Sequence, residues 1–457
     1  MNTVAAVILA AGKGTRMKSG VVKVLHPAGG RPMIEWVVDA AQSAGAVPVV
    51  LVVGHQADAV QALFHGAANI RSALQEEQLG TGHAVACARE GLAGFKGTVL
   101  ILCGDTPLLR VETLQGMIAF HTENKAALTV LTAVMANPHG YGRVVRDADG
   151  RVLRIVEQKD ATPEEQAVCE INSGIYCMEA DFLFANIDSI SSDNAQQEFY
   201  LTDLVSIAVK QGLTCLGRSA NDPDEIMGVN DRAQLAEASR ILRSRINREL
   251  MYAGVTLVDP GQSYIDHGVR IGPDTVVHPN CTLSGATVIG SGCTIGNGAS
   301  ITGCSIGDGC HIKSGSVLED SVLHADVSVG PMAHLRPGTV LGDHVKIGNF
   351  VETKKIVMGE GSKASHLTYL GDAVIGSNVN IGCGTITCNY DGVNKHRTLI
   401  GDDVFIGSDV QLVAPVSVGR NSLVAAGTTV TVDVPPDSLA ISRVPQVNKE
   451  GWRLKKK

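Results

Sequence analysis

From residue 271 onward aliphatic side chains recur at every sixth position. Ile271, Val277, Leu283, Ile289, Ile295 and Ile301 form one unbroken run, and Ile400, Ile406, Leu412, Val418, Val424 and Val430 form a second. This period differs completely from the alternation of short apolar strands and helical patterns that precedes it. A glycine often follows the aliphatic residue, as at Gly272, Gly290, Gly296, Gly401, Gly407 and Gly419, and lets the chain turn a corner at short range. An inward aliphatic residue followed by a small one, three units to a triangular coil, is the pattern of a left-handed parallel β-helix of hexapeptide repeats. A β-sandwich would have to produce both runs by chance. The 51 glycines and the aromatic content of 4% suit such a narrow, tightly cornered core. The register breaks near 302 to 306, 352 to 374 and 388 to 399, and insertions in a solenoid are expected to project as loops that carry function.

The first half reads differently. Continuous apolar segments at 4 to 10, 47 to 53 and 98 to 103 alternate with helical patterns, as expected of strands buried on both faces. Pro32 and Gly45 bracket a helix in the order that helix ends prefer. These elements predict a Rossmann-like α/β domain with a doubly wound mixed sheet over 1–229. Apolar groups at helical spacing in a charged background predict a linker helix over 230–253 that stops at Gly254, and the β-helix with its C-terminal tail then occupies 254–457.

At 457 residues the chain is too long for one compact core, and 44% hydrophobic with 18% charged residues belongs to a folded protein. A net charge of -8 excludes a general nucleic-acid binder, which needs a broad basic surface. Arg240, Arg243, Arg245 and Arg248 read as a solvated helix face, and Lys455, Lys456 and Lys457 as a chain end; neither group is given a ligand. The 11 cysteines are odd in number and include no C-x-x-C pair, so neither a disulfide framework nor a zinc ribbon is expected, and a reducing cytoplasm fits best. The opening MNTVAAVILAAGKG lacks the pattern of a signal peptide, and no apolar run is long enough to span a bilayer, so no membrane partner is expected.

The first strand runs into LAAGKGTRM at 9 to 17, a glycine-containing turn flanked by Lys13 and Arg16. Backbone approaches a phosphate most closely where side chains are absent, and cations neutralise it. Met17 stands where a dinucleotide fingerprint needs a small residue, and no G-K-[ST] follows at the P-loop spacing, so both familiar motifs fail. A plain strand-to-helix turn fits the same residues. The strand at 98 to 103 leads into CGDTPLL, placing Asp105 at its carboxyl end, where ligands of an open α/β sheet bind. A carboxylate there suits Mg²⁺ shared with substrate phosphates, although an N-cap Asp has the same appearance.

Together these pieces resemble the sugar-nucleotide pyrophosphorylases, in which L-x-x-G-x-G-T-x-M, a downstream Lys and a strand-ending G-D act as one site. More narrowly, EEQLGTGHA at 76 to 84, HGYGR at 139 to 143, VEQKD at 156 to 160, EINSGIY at 170 to 176 and GVNDR at 228 to 232 are similar to one half of a two-activity family. That family is the bifunctional N-acetylglucosamine-1-phosphate uridylyltransferase and glucosamine-1-phosphate acetyltransferases, and the resemblance covers nearly the whole chain. It implies that Leu9, Ala10, Ala11, Gly12 and Lys23 hold the nucleotide and that Gln75, Gly80 and Thr81 read the uracil, followed by Cys103, Gly104 and Asp105. Gly142, Glu157 and Asn172 would contact the amino sugar, and Asp105 and Asn230 would be the protein ligands of Mg²⁺. Val22 stands where Pro is common and Cys103 where an aromatic can occur; neither change removes a charge. The implied reaction is attack of the sugar phosphate on the α-phosphate of UTP, with positioning and charge neutralisation in place of a general base.

In the second half GNFVETKK at 348 to 355 and SKASHLTYLGD at 362 to 372 surround His366 in a break of register. An amine must be neutral to attack a thioester, and His is the side chain best suited to take its proton near neutral pH. Arg336, Lys354 and Tyr369 suit a phosphate and hydroxyls, and NVNIGCGTITCNYDG at 378 to 392 is rich in side-chain amides. These segments are similar to the acetyltransferase half of the same family. The resemblance implies His366 as base, Arg336, Lys354, Tyr369 and Asn380 as the glucosamine 1-phosphate site, and Cys383, Asn389, Tyr390, Ser408, Ala426 and Arg443 as the acetyl-CoA site. Cys383 replaces an Ala of the family pattern, and backbone contact by a small residue explains it more simply than a covalent acetyl intermediate. The family further implies a homotrimer with the acetyl site built between neighbouring prisms, which the period of six does not show. The expected partners are thus small molecules: UTP, N-acetylglucosamine 1-phosphate, glucosamine 1-phosphate and acetyl-CoA. The competing reading is a sugar-phosphate nucleotidyltransferase whose β-helix only assembles subunits, a scaffold with no need of His366, Lys354 and Tyr369.

Overall fold

A computed structural model describes residues 3–455, so Lys456 and Lys457 of the basic tail lie outside the described residues. The chain divides into two compact units, Met1–Leu242 and Arg243–Lys457.

The first unit is built on β1 (Val4–Leu9), β2 (Ala46–Val53), β3 (Ile70–Leu74), β4 (Thr98–Cys103), β5 (Leu128–Val134), β6 (Arg143–Arg146), β7 (Val152–Val156), β8 (Glu170–Glu179) and β9 (Cys215–Ser219). The sheet runs β9, β5, β8, β4, β1, β2, β3. β1 is parallel to β2 and β4, β2 to β3, and β9 to β5, whereas β8 is antiparallel to both β4 and β5. The hairpin of β6 and β7 joins through β8. Alternation along β1 sends Ala6 and Ile8 into one core and Ala5 and Val7 into the other, which is why its sequence is apolar without interruption. Helix α1 (Met33–Ser43) has Pro32 at its N-cap and Gly45 beyond its end at φ +94°, and buries Ile34, Val37, Val38 and Ala41 on one face. The isoleucine and the two valines each contribute about 1.5–3 kcal/mol when fully buried. Because β8 runs backward, its first residues, Glu170 to Asn172, reach the rim formed by the carboxyl ends of β1 and β4.

Helix α2 (Thr81–Cys87) follows Gly80, and helix α3 (Arg232–Tyr252) occupies the predicted linker. Ala238 and Leu242 of α3 pack with Ala28, Met33, Leu108 and Val229. Ile246 and Leu250 pack on the core of the second unit, and Gly254 follows at φ +96°. Arg240 pairs with Glu237 at 2.6 Å and Arg243 lies 4.4 Å from the ring centroid of Tyr264, so both have partners within the protein.

In the second unit each short strand pairs in parallel with the third one after it, Val276 with Thr294 and Thr282 with Ser300, and so on down a left-handed β-helix. All twelve residues of the two six-residue runs are buried in one continuous core. The breaks of register behave in three ways. Between Ile301 and Ile306 a corner is one residue short and nothing projects. The segment 352 to 374, expected to be a loop, is instead regular: β10 (Lys346–Met358) pairs along its length with β11 (Lys363–Ile375). Its polar residues line the outer surface while Ile347, Val351, Ile356 and Met358 still fill the core, so polarity marked the outward side of a strand and not a loop. By contrast residues 389 to 397 do project, with Asp391 to Lys395 exposed and Tyr390 bridged to Lys395. No helix among the described residues is long and apolar enough to cross a membrane.

Candidate active sites

Leu9, Ala10, Ala11, Gly12, Lys23, Gln75, Gly80, Thr81, Cys103 and Asp105 line one cavity of about 270 Å³ in the first unit. Val24, Gln78, Ala84 and Glu198 complete the lining; Gln78 and Ala84 fall within EEQLGTGHA, whereas no motif singles out Val24 or Glu198. Lys13 and Arg16 stay exposed outside it. Backbone hydrogen bonds set the turn at 9 to 12 beside the strand end at 103 to 105: Gly104 N–H donates to Leu9 O at 2.9 Å and Ala10 N–H to Val52 O at 2.8 Å. Gly80 adopts φ +110°, and a methyl there would lie 2.6 Å from Phe199 O and 2.8 Å from Phe199 N. Gln75 is 3% exposed, and its Nε2 donates to Gly80 O at 3.2 Å and meets His83 Nδ1 at 3.1 Å. Thr81 Oγ1 accepts from Leu201 N–H at 3.0 Å.

The ammonium of Lys23 joins residues far apart in the sequence: it donates to Asp105 Oδ2 and, at 3.0 Å, to Asn230 Oδ1. Val229 N–H donates to Asp105 O at 2.9 Å and Asn230 N–H to Gln234 Oε1 at 2.8 Å, which pins the loop carrying Asn230 against the strand end. One carboxylate and one amide oxygen converging on a cation form a hard donor set, suited to an ion that takes oxygen ligands. Cys103 donates to Gly174 O at 3.7 Å; burial first, and then the charge of Asp105, push its thiol up to about 12, so it packs as a neutral group and is no nucleophile.

Gly142, Glu157 and Asn172 are not among the residues that line this cavity, and Asn172 is linked to its edge through Gly174, whose carbonyl accepts from Cys103. Asn172 N–H donates to Gly142 O at 2.9 Å, and Asn172 Oδ1 accepts from Gly174 N–H and Tyr176 Oη at 3.0 Å each. Its Nδ2 is thereby turned outward as a donor. A methyl on Gly142 would sit 3.2 Å from Glu157 Oε1, so the glycine leaves room for the carboxyl. Burial, followed by Asp160, Asp203 and Glu198, raises the pKa of Glu157 above the ordinary carboxylate range.

In the second unit His366 lies on β11 opposite Asn349, exposed, and not in a loop. Cys383, Ser408 and Ala426 follow it down the same corner of the prism: Gly384 N–H donates to Leu367 O at 2.8 Å, Asp409 N–H to Cys383 O at 2.7 Å and Gly427 N–H to Ser408 O at 2.9 Å. Arg443 closes this column by donating to Ala426 O at 2.9 Å. Asn380 is paired with Lys363 and Phe405 on the face leading into that corner.

Lys354, Tyr369, Asn389 and Tyr390 gather instead toward the next corner. Lys354 is opposite Gly371, where a methyl would collide with Tyr369 Oη and lie 2.8 Å from Asn389 Nδ2. Tyr390 carries Lys395 Nζ 4.3 Å from its ring centroid and donates to Gly392 O at 2.5 Å. Arg336 is held by Glu352 at 2.9 Å, and Glu352 is opposite Tyr369. Glu352 and Lys395 went unremarked in the sequence, although Glu352 sits within VETKK.

The MobA-like NTP transferase domain model matches residues 6–160, the EIF2B subunit epsilon LbH domain model residues 248–353, and the bacterial transferase hexapeptide (six repeats) model residues 397–431. Curated relatives match from end to end. The bifunctional protein GlmU of Pelobacter propionicus is 74% identical over 100% of this chain and 99% of its own, and that of Geotalea uraniireducens 66% over 100% of both. The Listeria monocytogenes protein of the same name is 50% identical over 98% of this chain and 97% of its own. A nucleotidyltransferase fold followed by hexapeptide coils, matched at such identity throughout, places the chain in the bifunctional GlmU family, enzymes that unite a uridylyltransferase with an acetyltransferase.

Proposed function

We propose that residues 254–457 acetylate glucosamine 1-phosphate with acetyl-CoA and that residues 1–229, joined to them through 230–253, transfer the uridylyl group of UTP to the resulting N-acetylglucosamine 1-phosphate. The observation that carries the nucleotidyl reading is the meeting of Lys23, Asp105 and Asn230 at one ammonium beside the cavity of about 270 Å³. Asp105 and Asn230 would hold Mg²⁺, an ion that commonly takes few protein ligands and completes its shell with phosphate and water. When bound, Mg²⁺ neutralises charge on the triphosphate and on the leaving pyrophosphate. Lys23 adds a second positive charge, and the turn Leu9, Ala10, Ala11 and Gly12, with no side chain beyond Cβ after Leu9, lets backbone N–H groups approach phosphate. Gln75, its Nε2 engaged within the protein, offers Oε1 to a ring N–H such as uracil N3–H, with Gly80 and Thr81 shaping the same wall and Cys103 and Gly104 the opposite one. Asn172 presents a donor, Glu157 an acceptor and Gly142 bare backbone to the amino sugar. The sugar phosphate is already anionic, so its oxygen attacks the α-phosphorus of UTP and pyrophosphate departs without a protein base.

In the second reaction His366 accepts the proton of the amine as nitrogen attacks the thioester carbonyl; the C–S bond breaks and CoA leaves as its thiol. Arg336, Lys354, Tyr369 and Asn380 bind glucosamine 1-phosphate, while Cys383, Asn389, Tyr390, Ser408, Ala426 and Arg443 bind acetyl-CoA. Their division between two corners of one prism favours a site completed by a neighbouring copy. A homotrimer is further supported by Val322, Val357, Val374 and Leu399, exposed side chains stacked on one face of the β-helix. Eleven free thiols favour a reducing cytoplasm. The test is His366→Ala: thiol release from acetyl-CoA is expected to vanish while UDP-N-acetylglucosamine formation from N-acetylglucosamine 1-phosphate continues. Wild-type protein that releases no thiol would instead favour a β-helix serving only for assembly.

A further inference from the structure

The β-helix contains a polar cluster in which an amide is fixed with one end left free. Asp372 follows Gly371 in β11 and adopts φ +49°, a left-handed conformation that Asp tolerates better than most residues. Its Oδ2 accepts from Asn389 Nδ2 at 2.5 Å. An ionised carboxylate has no proton to give, so Asn389 can meet it only with its nitrogen, and the orientation of the amide is dictated by the partner. The backbone of Asn389 is fixed as well: its N–H donates to Thr387 O at 2.9 Å and its carbonyl accepts from His396 N–H at 2.8 Å. Thr387, buried, anchors the neighbouring strand in turn, accepting from Gly371 N–H at 2.7 Å and donating to Gly371 O at 3.1 Å.

Asn389 is only 5% exposed, yet its Oδ1 accepts no hydrogen bond from the described residues. The oxygen is thus a fixed acceptor left open at the surface of an otherwise buried side chain, available to a donor that a ligand brings. Tyr369 Oη and Asn389 Nδ2 both crowd the space that a side chain at Gly371 would occupy, so the amide of Asn389 stands next to Tyr369 of the proposed glucosamine 1-phosphate site.

We infer that Asp372 is a positioning residue for the acetyl donor: it turns the amide of Asn389 so that Oδ1 receives an amide N–H of the pantetheine arm of acetyl-CoA. The inference rests on the acetyltransferase reading given above. A charge-assisted hydrogen bond holds more firmly than a neutral one, so the carboxylate defines one orientation where an amide in its place would permit two.

The experiment uses full-length protein and three variants: Asp372→Ala, Asp372→Asn, and the exchange Asp372→Asn with Asn389→Asp. In Asp372→Ala and Asp372→Asn the KM for acetyl-CoA is expected to rise about tenfold, as for loss of one well-made hydrogen bond, with kcat and the KM for glucosamine 1-phosphate within about twofold. The exchange rebuilds a charge-assisted bond of reversed polarity and keeps an oxygen acceptor at position 389, so it is expected to recover most of the affinity. A merely structural role would instead change kcat and both KM values together, without a rise confined to acetyl-CoA. Unchanged KM for acetyl-CoA in both single variants, a rise confined to glucosamine 1-phosphate, or an exchange variant as weak as Asp372→Asn each overturn the inference. If wild-type protein releases no thiol at all, the acetyltransferase reading fails on its own account, and uridylyl transfer by every variant serves as the check that the preparation is active.

Discussion

Gly80→Ala joins a steric demand to a chemical one. At φ +110° the backbone of Gly80 lies where only glycine is at ease, a strain of about 1–3 kcal/mol for alanine. The new methyl would also stand 2.6 Å from Phe199 O and 2.8 Å from Phe199 N, both main-chain atoms, and overpacking of that kind costs about 1–3 kcal/mol more. The sum, about 2–6 kcal/mol, corresponds to a fall of about 4–24 °C in the unfolding midpoint of a unit this size. Relief comes by moving the Gly80 turn away from Phe199, which draws Gln75 with it through the 3.2 Å bond to Gly80 O. A displacement near 1 Å at a substrate-positioning group costs about a hundredfold in rate, so kcat/KM for UTP should drop by that order while acetyl transfer persists. Calorimetry and pyrophosphate release on the full chain give the two readings, with Gly12→Ala as the comparison. Gly12 has nothing within 4 Å of a would-be methyl and no positive φ, so its substitution should leave the midpoint nearly unmoved. A Gly80→Ala protein with wild-type midpoint and wild-type kcat/KM would refute the reasoning.

Asn230→Ala should raise the Mg²⁺ concentration needed for half-maximal uridylyl transfer about tenfold, the effect of losing one oxygen ligand, and a metal titration that overlays wild type would contradict its assignment. Glu157 has its pKa raised, by burial first, so the folded unit holds that proton more tightly than the unfolded chain. The stability this gives is complete below the ordinary carboxyl range and is lost as pH rises through the raised value. Glu157→Gln stays neutral throughout and should therefore gain on wild type in urea melts as pH rises above the ordinary carboxyl range, while its KM for N-acetylglucosamine 1-phosphate rises; parallel urea curves would count against the buried charge. Val357→Glu and Val374→Glu should dissociate the assembly on sedimentation and abolish acetyl transfer but not uridylyl transfer, and an intact assembly in both would show that this face is not the interface.

The β-helix was legible because one inward residue in six is a strict geometric demand, and every residue of the two runs is buried. The candidate nucleotide pocket was legible as separate fragments, since the turn at 9 to 12 suits a phosphate and Asp105 a cation, although each alone also fits a plain turn or an N-cap. Two things were hidden. Asn230 lies 207 residues from Lys23, and nothing local shows that both address one oxygen-rich point; only the chain's return past the sheet brings them together. The polar stretch around His366 resembled a loop because its outward residues are hydrophilic, and they hide the burial of the inward residues of β10 and β11. The bond from Asn389 to Asp372 likewise depends on which coil stacks on which, a matter of tertiary register.

The reversal of β8 separates two evolutionary problems. On the proposed reading, the turns for the triphosphate leave parallel strands at their carboxyl ends, whereas Asn172 enters from the beginning of a strand that points the other way, and the hairpin of β6 and β7 hangs from that same reversed strand. Lengthening or reshaping the hairpin would therefore retune which sugar is accepted without disturbing the turns that grip the nucleotide. A single inverted strand thus gives the scaffold independent dials for what is activated and for what receives it.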